Sequence, residues 1–239
     1  MPNDFTIQVS TAMDPHVSLW LCILMNQKIT ALKAQKKNPN RINVYLDGEF
    51  AFGLSRIVAA WLSVGQELED EQIARMQQQD ATEVALDNAV KFISYRSRTE
   101  TEIRRKLSEK GFSDEDIDKV LERLRSNGLV ADEQFARTWV ENRSAAHPRS
   151  RRLMAMELRQ KGVTDSDIDK ALEGTEDDDK LAYQAATQYA HRLARLDWDK
   201  FRERLSGYLL RRGFAYGTIA PLVRRVWSEL QSVEDRAQN

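Results

Sequence analysis

Arginine and lysine offer the most evident chemistry in this sequence, because they recur in three clusters. Residues 149–161 contain five basic residues and one glutamate, and residues 200–212 again contain five and one. Residues 96–110 contain six basic residues and three glutamates. Guanidinium and ammonium groups that lack nearby carboxylates are suited to bind phosphate or carboxylate groups of a partner. The clusters therefore predict a surface that contacts an anionic molecule.

The run Arg149-Ser150-Arg151-Arg152 is the strongest of these candidates, because it follows a proline and has few acidic neighbours. For residues 96–110, a solvated helix face with i,i+4 pairs such as Glu102–Lys106 is sufficient to explain the charges. Tyr208 and Tyr216 are near the third cluster, where they could stack on nucleobases or pack at the rim of a core. The predicted contact residues are Arg96, Arg98, Arg104, Arg105, Arg149, Arg151, Arg152, Arg159, Lys161, Arg204, Arg211, Arg212, Arg224 and Arg225.

The composition argues against several classes of protein. The formal net charge of the 239 residues is −1, so any nucleic-acid binding must come from local clusters. Cys22 is the only cysteine, which excludes an intrachain disulfide. The sequence has no phosphate-binding glycine loop, no dinucleotide-binding motif and no nucleophile elbow. His16, His147 and His191 are isolated, and the acidic run 177–179 fits a helix start better than a metal site. We therefore expect a protein that is not an enzyme and has no cofactor or metal.

An internal repeat determines how the basic clusters are positioned. The stretch KLSEKGFSDEDIDKVL at residues 106–121 shares nine of sixteen positions with residues 157–172, and residues 208–223 are a fainter third copy. A leucine and a glycine recur at intervals of 51 residues in all three copies. A period of about fifty residues indicates a tandem array of one supersecondary unit. The recurring residues are Leu107, Leu158 and Leu209, with Gly111, Gly162 and Gly213.

Each repeat is predicted to contain three helices. In the first, Asp80 with Glu83 and Thr99 with Glu102 resemble capping boxes, and Gly111 is placed to end the second helix. Ser113 can begin the third helix. The same logic predicts caps at Asp132 and Thr164 in the second repeat. In the third repeat, Ala215 replaces the cap and Pro221 intrudes, so the last helix is expected to begin near Thr218.

Acidic residues open the third helix of the first two repeats. Asp114, Glu115, Asp116 and Asp118 occupy the first copy, and Asp165, Asp167 and Asp169 occupy the second. Negative charge at a helix N-terminus is favourable, so capping and solvation explain these residues. They are absent from the third repeat, where Arg224 and Arg225 make it the best candidate for contact with an anionic partner.

The N-terminal region has the period of β-strands. Residues 28–54 alternate apolar and polar residues around Asp47-Gly48, which favours a tight hairpin, and Phe50, Phe52 and Leu54 follow on the return strand. A three-stranded meander is expected, covered by short helices at residues 55–62 and 69–77. Residues 1–24 contain an apolar run too short to cross a membrane, and either an upstream extension or a packed strand would explain them.

The predicted fold class is mainly α: tandem three-helix modules in an elongated, curved array, with a small N-terminal β-hairpin or meander plus short helices. The expected domains are a leader at 1–24, the β-meander with short helices at 25–79, modules at 80–129, 130–175 and 176–232, and a tail at 233–239.

Two copies of the repeat and the hairpin carry a resemblance to a known family. The segments Arg104–Phe112, Met156–Val163 and RINVYLDGEFAFGL resemble the RecX family of bacterial recombinase regulators. The resemblance covers residues 28–230 in order and spacing, and it departs at residues 1–24 and in the degenerate third module. It implies a non-enzymatic, cytoplasmic protein that binds the RecA filament on single-stranded DNA and inhibits its ATPase, filament growth and strand exchange.

Several partner assignments follow from this resemblance or stay open beside it. A monomer with no membrane contact is expected, and direct contact with single-stranded or duplex DNA is possible. One alternative is a sequence-tolerant DNA-binding repeat protein, which the acidic third helices oppose. Another is a helical adaptor for a different partner.

Overall fold

The computed structural model describes residues 26–238, with side chains through residue 232. The expectations for residues 1–24 lie outside this range. The chain divides into two compact units, one reaching Asp87 and the other beginning at Asn88. The described part confirms the predicted fold class, because a small antiparallel sheet precedes a series of three-helix modules.

The first unit is built on a four-stranded antiparallel sheet with the strand order β3-β2-β1-β4. The strands are β1 (Gln27–Ala34), β2 (Arg41–Leu46), β3 (Glu49–Ser55) and β4 (Glu67–Leu68). The predicted hairpin is confirmed: Leu46 pairs with Glu49, and both Asp47 and Gly48 have positive φ, at 49° and 95°. Such a turn suits the twist of the flanking strands. The fourth strand, β4, was missed because two residues are too short for an alternating pattern.

A bulge in β3 turns one apolar residue away from the core. Val44 pairs with Phe52, whereas Tyr45 pairs with Phe50, so one extra residue lies between the two phenylalanines. Because successive side chains alternate between faces, Phe50 joins Tyr45 on the other face. The Phe50 and Tyr45 rings meet edge to face at 5.9 Å, and Phe50 is exposed. The core consists of Ile29, Val44, Leu46, Leu54, Val58, Ala59 and Leu68.

The predicted capping box at Asp80 and Glu83 is wrong. Helix α1 is Arg56–Ala59, and one continuous helix, α2, runs from Asp70 to Ser94, so the expected boundary at 79/80 falls inside it. Asp80 is a buried mid-helix residue whose carboxylate accepts hydrogen bonds from the Arg41 guanidinium and the Ser55 N–H. The sequence suggested a cap because aspartate is typical there, but its partners lie 39 and 25 residues away.

Eight further helices follow α2 within the described residues. They are α3 (Glu100–Ser108), α4 (Asp114–Ser126), α5 (Asp132–Ala146), α6 (Arg151–Gln160), α7 (Asp165–Glu173), α8 (Asp178–Ala190), α9 (Trp198–Arg211) and α10 (Tyr216–Gln238). The end of α2 with α3 and α4 forms the first three-helix module of the second unit. Helices α5–α7 form the next module and α8–α10 the last. We call α3, α6 and α9 the second helices.

The helix boundaries are mostly those that the sequence predicts. Thr99 and Glu102 form a capping box, and Ser113 and Thr164 cap α4 and α7 through their hydroxyl groups. After each second helix, the glycine N–H and the next N–H donate back into the last turn, as in Gly111 to Ser108 and Phe112 to Leu107. This is the Schellman pattern, and the φ of Gly111 is +84°.

Two predicted helix starts are corrected. The N-cap of α5 is Ala131, because Asp132 is already helical and its carboxylate serves another helix. Helix α10 begins at Tyr216 rather than near Thr218, with the Ala215 carbonyl accepting from the Thr218 and Ile219 N–H groups. Pro221 therefore lies in the second turn of α10. There Pro221 has no N–H to donate to the Gly217 carbonyl, and its ring crowds that carbonyl.

The last two modules share one hydrophobic core. A single cluster of buried side chains includes Val140 and Met154 of one module with Leu181, Phe201 and Val226 of the other. The modules of this pair therefore do not have separate cores. A shared core holds α6 and α9 at fixed positions, and this places their basic residues.

Candidate interaction surface

The second helices follow one another head to tail. The Thr99 hydroxyl at the start of α3 donates to the Lys161 carbonyl at the end of α6, at 2.6 Å. The Ser150 N–H at the start of α6 donates to the Arg212 carbonyl at the end of α9, at 3.0 Å. The N-terminus of one helix thus meets the C-terminus of the next, which is the favourable alignment of helix dipoles. The basic clusters lie on one row of helices ordered α9, α6, α3.

Glycine is required at the two junctions for a reason that the sequence did not show. A Cβ on Gly162 would lie 2.1 Å from the Thr101 hydroxyl oxygen, and a Cβ on Gly213 would lie 2.5 Å from that of Ser150. A Cβ on Gly111 would meet nothing within 4 Å. All three glycines have positive φ, so this requirement is common to them. Only Gly162 and Gly213 also allow two modules to approach closely.

Aspartates at the start of one module cap the second helix of the module before. Asp132 of α5 accepts from the Glu100 N–H of α3 at 3.0 Å, and Asp178 of α8 accepts from the Arg151 N–H of α6 at 2.8 Å. Burial raises the pKa of the Asp132 carboxyl group, although the bond from Glu100 acts in the opposite direction. The junctions are therefore held by the same contact twice.

Several predicted contact residues are part of these junctions. Lys161 pairs with Glu102 at 3.3 Å and lies 4.7 Å from the ring centre of Trp139. Burial of Glu102 would raise the pKa of its carboxyl group, but the hydrogen bond from Arg96 and the charge of Lys161 outweigh it and hold that pKa below its usual value. Arg98 lies over the Phe92 ring and is largely buried. These cations stabilise the fold.

In the run at 149–152, the strongest candidate from the sequence, two arginines have intramolecular partners and one is exposed without a partner. Arg149 pairs with Glu157, and burial, with the charges of Arg143 and Arg212, lowers the pKa of the Arg149 guanidinium. The Arg151 side chain donates to the Thr175 carbonyl at 3.2 Å. Arg152 is exposed, and none of residues 26–232 is paired with it. One of the three arginines is therefore available to a partner.

Other predicted contact residues also have intramolecular partners. Arg212 donates to the Pro148 carbonyl at 3.0 Å, across the α6–α9 junction, and covers the Tyr208 ring. Arg96 pairs with the largely buried Glu102. Four more of the predicted residues form ion pairs with exposed carboxylates: Arg104–Asp118, Arg105–Glu109, Arg159–Asp165 and Arg225–Glu229. Exposed pairs of this kind contribute about 0–1 kcal/mol, so a stronger anionic partner can displace them.

Four of the predicted residues are exposed and have no partner among the described side chains: Arg152, Arg204, Arg211 and Arg224. Arg204 and Arg211 lie on one face of α9, because seven residues are about two turns. Gly207 lies between them, and a Cβ there would be 3.4 Å from an Arg211 nitrogen. We call these four side chains the free arginines. They lie on α6, α9 and α10, and three of them belong to the last module.

Sequence reasoning missed Arg192 and Arg195, which are also exposed and have no partner among residues 26–232. They lie in the α8–α9 connection, outside the repeated motif, so the repeat gave no reason to select them. The signal that could have found them is the segment HRLARL, which has two arginines and no acidic residue.

The tyrosines differ in their availability for stacking. Tyr208 is stacked on Tyr189, with ring centres 4.0 Å apart, and the Arg212 guanidinium lies over it at 4.4 Å. Both faces of its ring are therefore covered, and it is a packing residue. Tyr216 is 72% exposed and its ring is accessible.

The acidic residues of the third helices are engaged locally, as the capping interpretation predicts. Asp116 accepts from the Ser113 hydroxyl, and Asp167 accepts from the Thr164 hydroxyl. Asp118 and Asp165 pair with Arg104 and Arg159 of the preceding second helices. These carboxylates neutralise part of the first two modules, which leaves most of the free positive charge on the last.

Within the described residues, no group of three or more His, Cys, Asp or Glu side chains is arranged to hold a metal ion. A search of the same residues found no helix long and apolar enough to cross a bilayer.

The fold defines a class of protein: a tandem array of three-helix modules, on which the free arginines are exposed. Family models match most of the described chain. The Regulatory protein RecX N-terminal domain matches residues 27–69, and the RecX first, second and third three-helix domains match residues 85–124, 132–172 and 176–223. The chain belongs to the RecX family.

Individual relatives agree with this assignment. Regulatory protein RecX of Leuconostoc mesenteroides is 32% identical, over 85% of this chain and 77% of the relative. The protein of the same name from Clostridium acetobutylicum is 30% identical, over 84% and 97%. A crystal structure of regulatory protein RecX superposes with a TM-score of 0.62 at 29% identity, covering 80% of this chain and 96% of that one. The crystal structure of RecX from Lactobacillus salivarius shares the fold, with a TM-score of 0.52 at 22% identity, over 62% and 97%.

Proposed function

We propose that this protein binds the RecA recombinase filament on single-stranded DNA and inhibits its ATPase, its growth and its strand exchange. The observation that carries the proposal is the set of free arginines, within a chain of the RecX family. Most other cations of the second helices already have intramolecular partners. Unpaired guanidinium groups are suited to acidic protein side chains and to phosphates. A regulator of RecA works where RecA does, so we place the protein in the cytoplasm.

A repeated array suits a repeated target. The free arginines are distributed over two modules, so a single chain can contact more than one subunit of a filament. Each contact is weak, but contacts on one chain act at a high effective concentration once the first has formed. A protein that binds one filament state more tightly than another shifts the filament toward that state. Inhibition then requires only a higher affinity for the inactive state.

The test is a titration of this protein into RecA that is hydrolysing ATP on single-stranded DNA. The expected result is a saturable loss of ATPase activity. The double variant Arg204→Glu/Arg211→Glu should raise the concentration needed for half-inhibition at least about tenfold, since each reversal replaces an attraction with a repulsion.

Arg202→Glu is the matched control. Arg202 is on the same helix and similarly exposed, but it pairs with Asp199 and lies about half a turn away from the other two. If the wild-type protein leaves the ATPase activity of RecA unchanged, the proposal is contradicted. If the folded double variant inhibits as strongly as the wild type, the free arginines are not the residues that bind RecA.

Direct binding to DNA is a second candidate, favoured by the accessible ring of Tyr216 near the free arginines of the last module. Anisotropy of labelled single-stranded and duplex oligonucleotides, with RecA absent, tests it. Binding that falls steeply with salt and weakens in Tyr216→Ala supports a DNA contact. If the protein neither affects RecA nor binds DNA, an adaptor for another partner becomes the better interpretation.

A further inference from the structure

A groove beside α5, at the junction of the first two modules, is lined by basic residues that are not among the free arginines. It has a volume of about 410 Å³ and is lined by the connection before α3, the loop between α4 and α5, and one face of α5. This volume is within the range of ligand-binding pockets. Two arginines, Arg96 and Arg98, line it, and no carboxylate does. The groove is therefore positive in a chain whose net charge is −1.

The arginines at the groove have unused donors. Among residues 26–232, Glu102 is the one carboxylate that pairs with Arg96, Arg98 and Lys161, at 3.0, 3.9 and 3.3 Å. The Arg98 Nε is buried and has no hydrogen-bond partner. Since that atom is closed to solvent, an anionic ligand would instead contact the exposed guanidinium of Arg96, which shares its single carboxylate with two other cations.

The helix α5 contributes polar side chains in a row. Gln134, Thr138 and Asn142 are exposed at intervals of four residues and line the groove. The row is about 12 Å long, which matches three to four residues of extended peptide. Side-chain amides offer both a donor and an acceptor, as peptide groups require. Gln134 and Thr138 share a weak hydrogen bond of 3.3 Å, which a ligand can replace. Leu129, 54% exposed, adds an apolar contact.

The aromatic residues in the groove are not available to nucleobases. Phe135 and Trp139 are stacked on each other with ring centres 5.8 Å apart. Arg143 and Lys161 lie over the Trp139 ring at 4.4 and 4.7 Å. Binding of single-stranded nucleic acid depends on open aromatic faces, and these rings are covered. The chemistry of the groove therefore favours a peptide over a nucleotide.

We propose that this groove binds an acidic peptide segment of a partner protein, with a carboxylate on Arg96 and an apolar side chain against Leu129. This contact is separate from the free arginines. Arg96 and Arg98 were selected from the sequence for their charge, and the structure places them beside α5, where they line this groove.

The test is fluorescence anisotropy of a labelled, end-blocked peptide of sequence SALDELAS with the full-length protein. The expected result is saturable binding that disappears for the neutral peptide SALNQLAS. Arg96→Gln should weaken binding about tenfold, as expected for one charge-assisted hydrogen bond. Thr138→Glu places a carboxylate in the groove and should abolish binding, whereas Thr138→Gln should leave it unchanged. Arg105→Gln removes the charge of an exposed arginine that does not line the groove, and it should also leave binding unchanged. Thr138, Arg96 and Arg105 are exposed, so these variants should fold.

Three results would overturn the proposal: no saturation up to about 1 mM peptide, equal binding of the neutral peptide, or wild-type affinity in Thr138→Glu. An oligonucleotide of thymidines that displaces the peptide from wild-type protein, and itself fails to bind Thr138→Glu, would assign the groove to nucleic acid instead. Failure of this experiment leaves the RecA proposal intact, because the ATPase titration tests different residues.

Discussion

The backbone N–H of Ser150 donates to the carbonyl oxygen of Arg212 at 3.0 Å, so α6 begins where α9 ends. Thr99 and Lys161 form the corresponding contact between α3 and α6. Each junction joins a donor-rich helix start to an acceptor-rich helix end, and this satisfies groups that a helix terminus otherwise leaves to water. These two contacts, with the core shared by the last two modules, position the second helices and their basic clusters.

The three repeat glycines should differ when each is replaced by alanine. Gly111→Ala introduces only an unfavourable backbone conformation, which costs about 1–2 kcal/mol. Gly162→Ala and Gly213→Ala add a clash with the neighbouring module, worth about 1–3 kcal/mol more. Urea unfolding of the three variants measures the difference. Equal destabilisation by all three variants would contradict the predicted clash with the neighbouring module at positions 162 and 213.

Substitution of neighbouring arginines should affect different properties, protein stability in one case and inhibition of RecA in the other. Arg212→Gln should destabilise the protein by about 1–2 kcal/mol, because it loses the bond to the Pro148 carbonyl and the contact with Tyr208. Arg211→Gln should leave the free energy of unfolding within about 0.5 kcal/mol and weaken the inhibition of RecA. The same contrast is expected between Arg151 and Arg152. Thermal unfolding and the ATPase titration, performed on all four variants, separate the two roles.

The first junction should weaken in acid. The pKa of Glu102 is depressed in the folded protein, so its contribution is present above the ordinary value of 4.5 and is lost as the pH falls through the lower, folded pKa. Glu102→Gln should therefore destabilise the protein at pH 7 by about 1–3 kcal/mol. The difference between variant and wild type should shrink below pH 4.5. Urea unfolding at both pH values measures it, and a difference that is independent of pH would contradict the assigned ion pairs.

The buried carboxylate of Asp80 should stabilise the N-terminal unit. Asp80→Ala removes the acceptor for both the Ser55 N–H and the Arg41 guanidinium. Because Arg41 is partly exposed, the expected cost is about 2–3 kcal/mol rather than that of a fully buried pair. Hydrogen exchange of the β3 amides should report the loss locally. The exposed aspartate of the same helix, at position 70, provides a matched control as Asp70→Ala.

The predictable part of the fold was local. Thr99, Ser113 and Gly111 act within a few residues of themselves, so their types and spacing were sufficient to place helix ends. Asp80 and Asp132 look like caps in sequence, but they bind groups far away along the chain, and propensity carries no information on that. The bulge that exposes Phe50 is similarly invisible, since one extra residue in β3 changes the face without changing the composition.

The sequence predicted the candidate site from its charged residues, and the structure showed which of those residues have partners. The sequence shows where arginines are numerous, but it cannot show which carboxylate or carbonyl lies beside each one. Arg149 and Arg152 are three residues apart, and only the fold distinguishes the paired residue from the free one. The groove at Arg96 was not predictable at all, because its polar row on α5 and its arginines come from separate modules of the chain.

The N-cap residue of each second helix determines which contacts that helix start can make with a neighbouring module. Thr99 and Ser150 are hydroxyl residues: each accepts from its own helix, and the Thr99 hydroxyl also donates to a carbonyl of the neighbouring module. The corresponding residue of α9 is Asp197, and the Lys200 N–H holds the pKa of its carboxyl group below the usual value. An ionised carboxylate has no proton to donate and would repel an incoming carbonyl oxygen. The α6–α9 junction uses the Ser150 backbone N–H instead of a hydroxyl. Asp197 therefore excludes, at the start of α9, the hydroxyl-to-carbonyl contact by which Thr99 joins α3 to the end of α6.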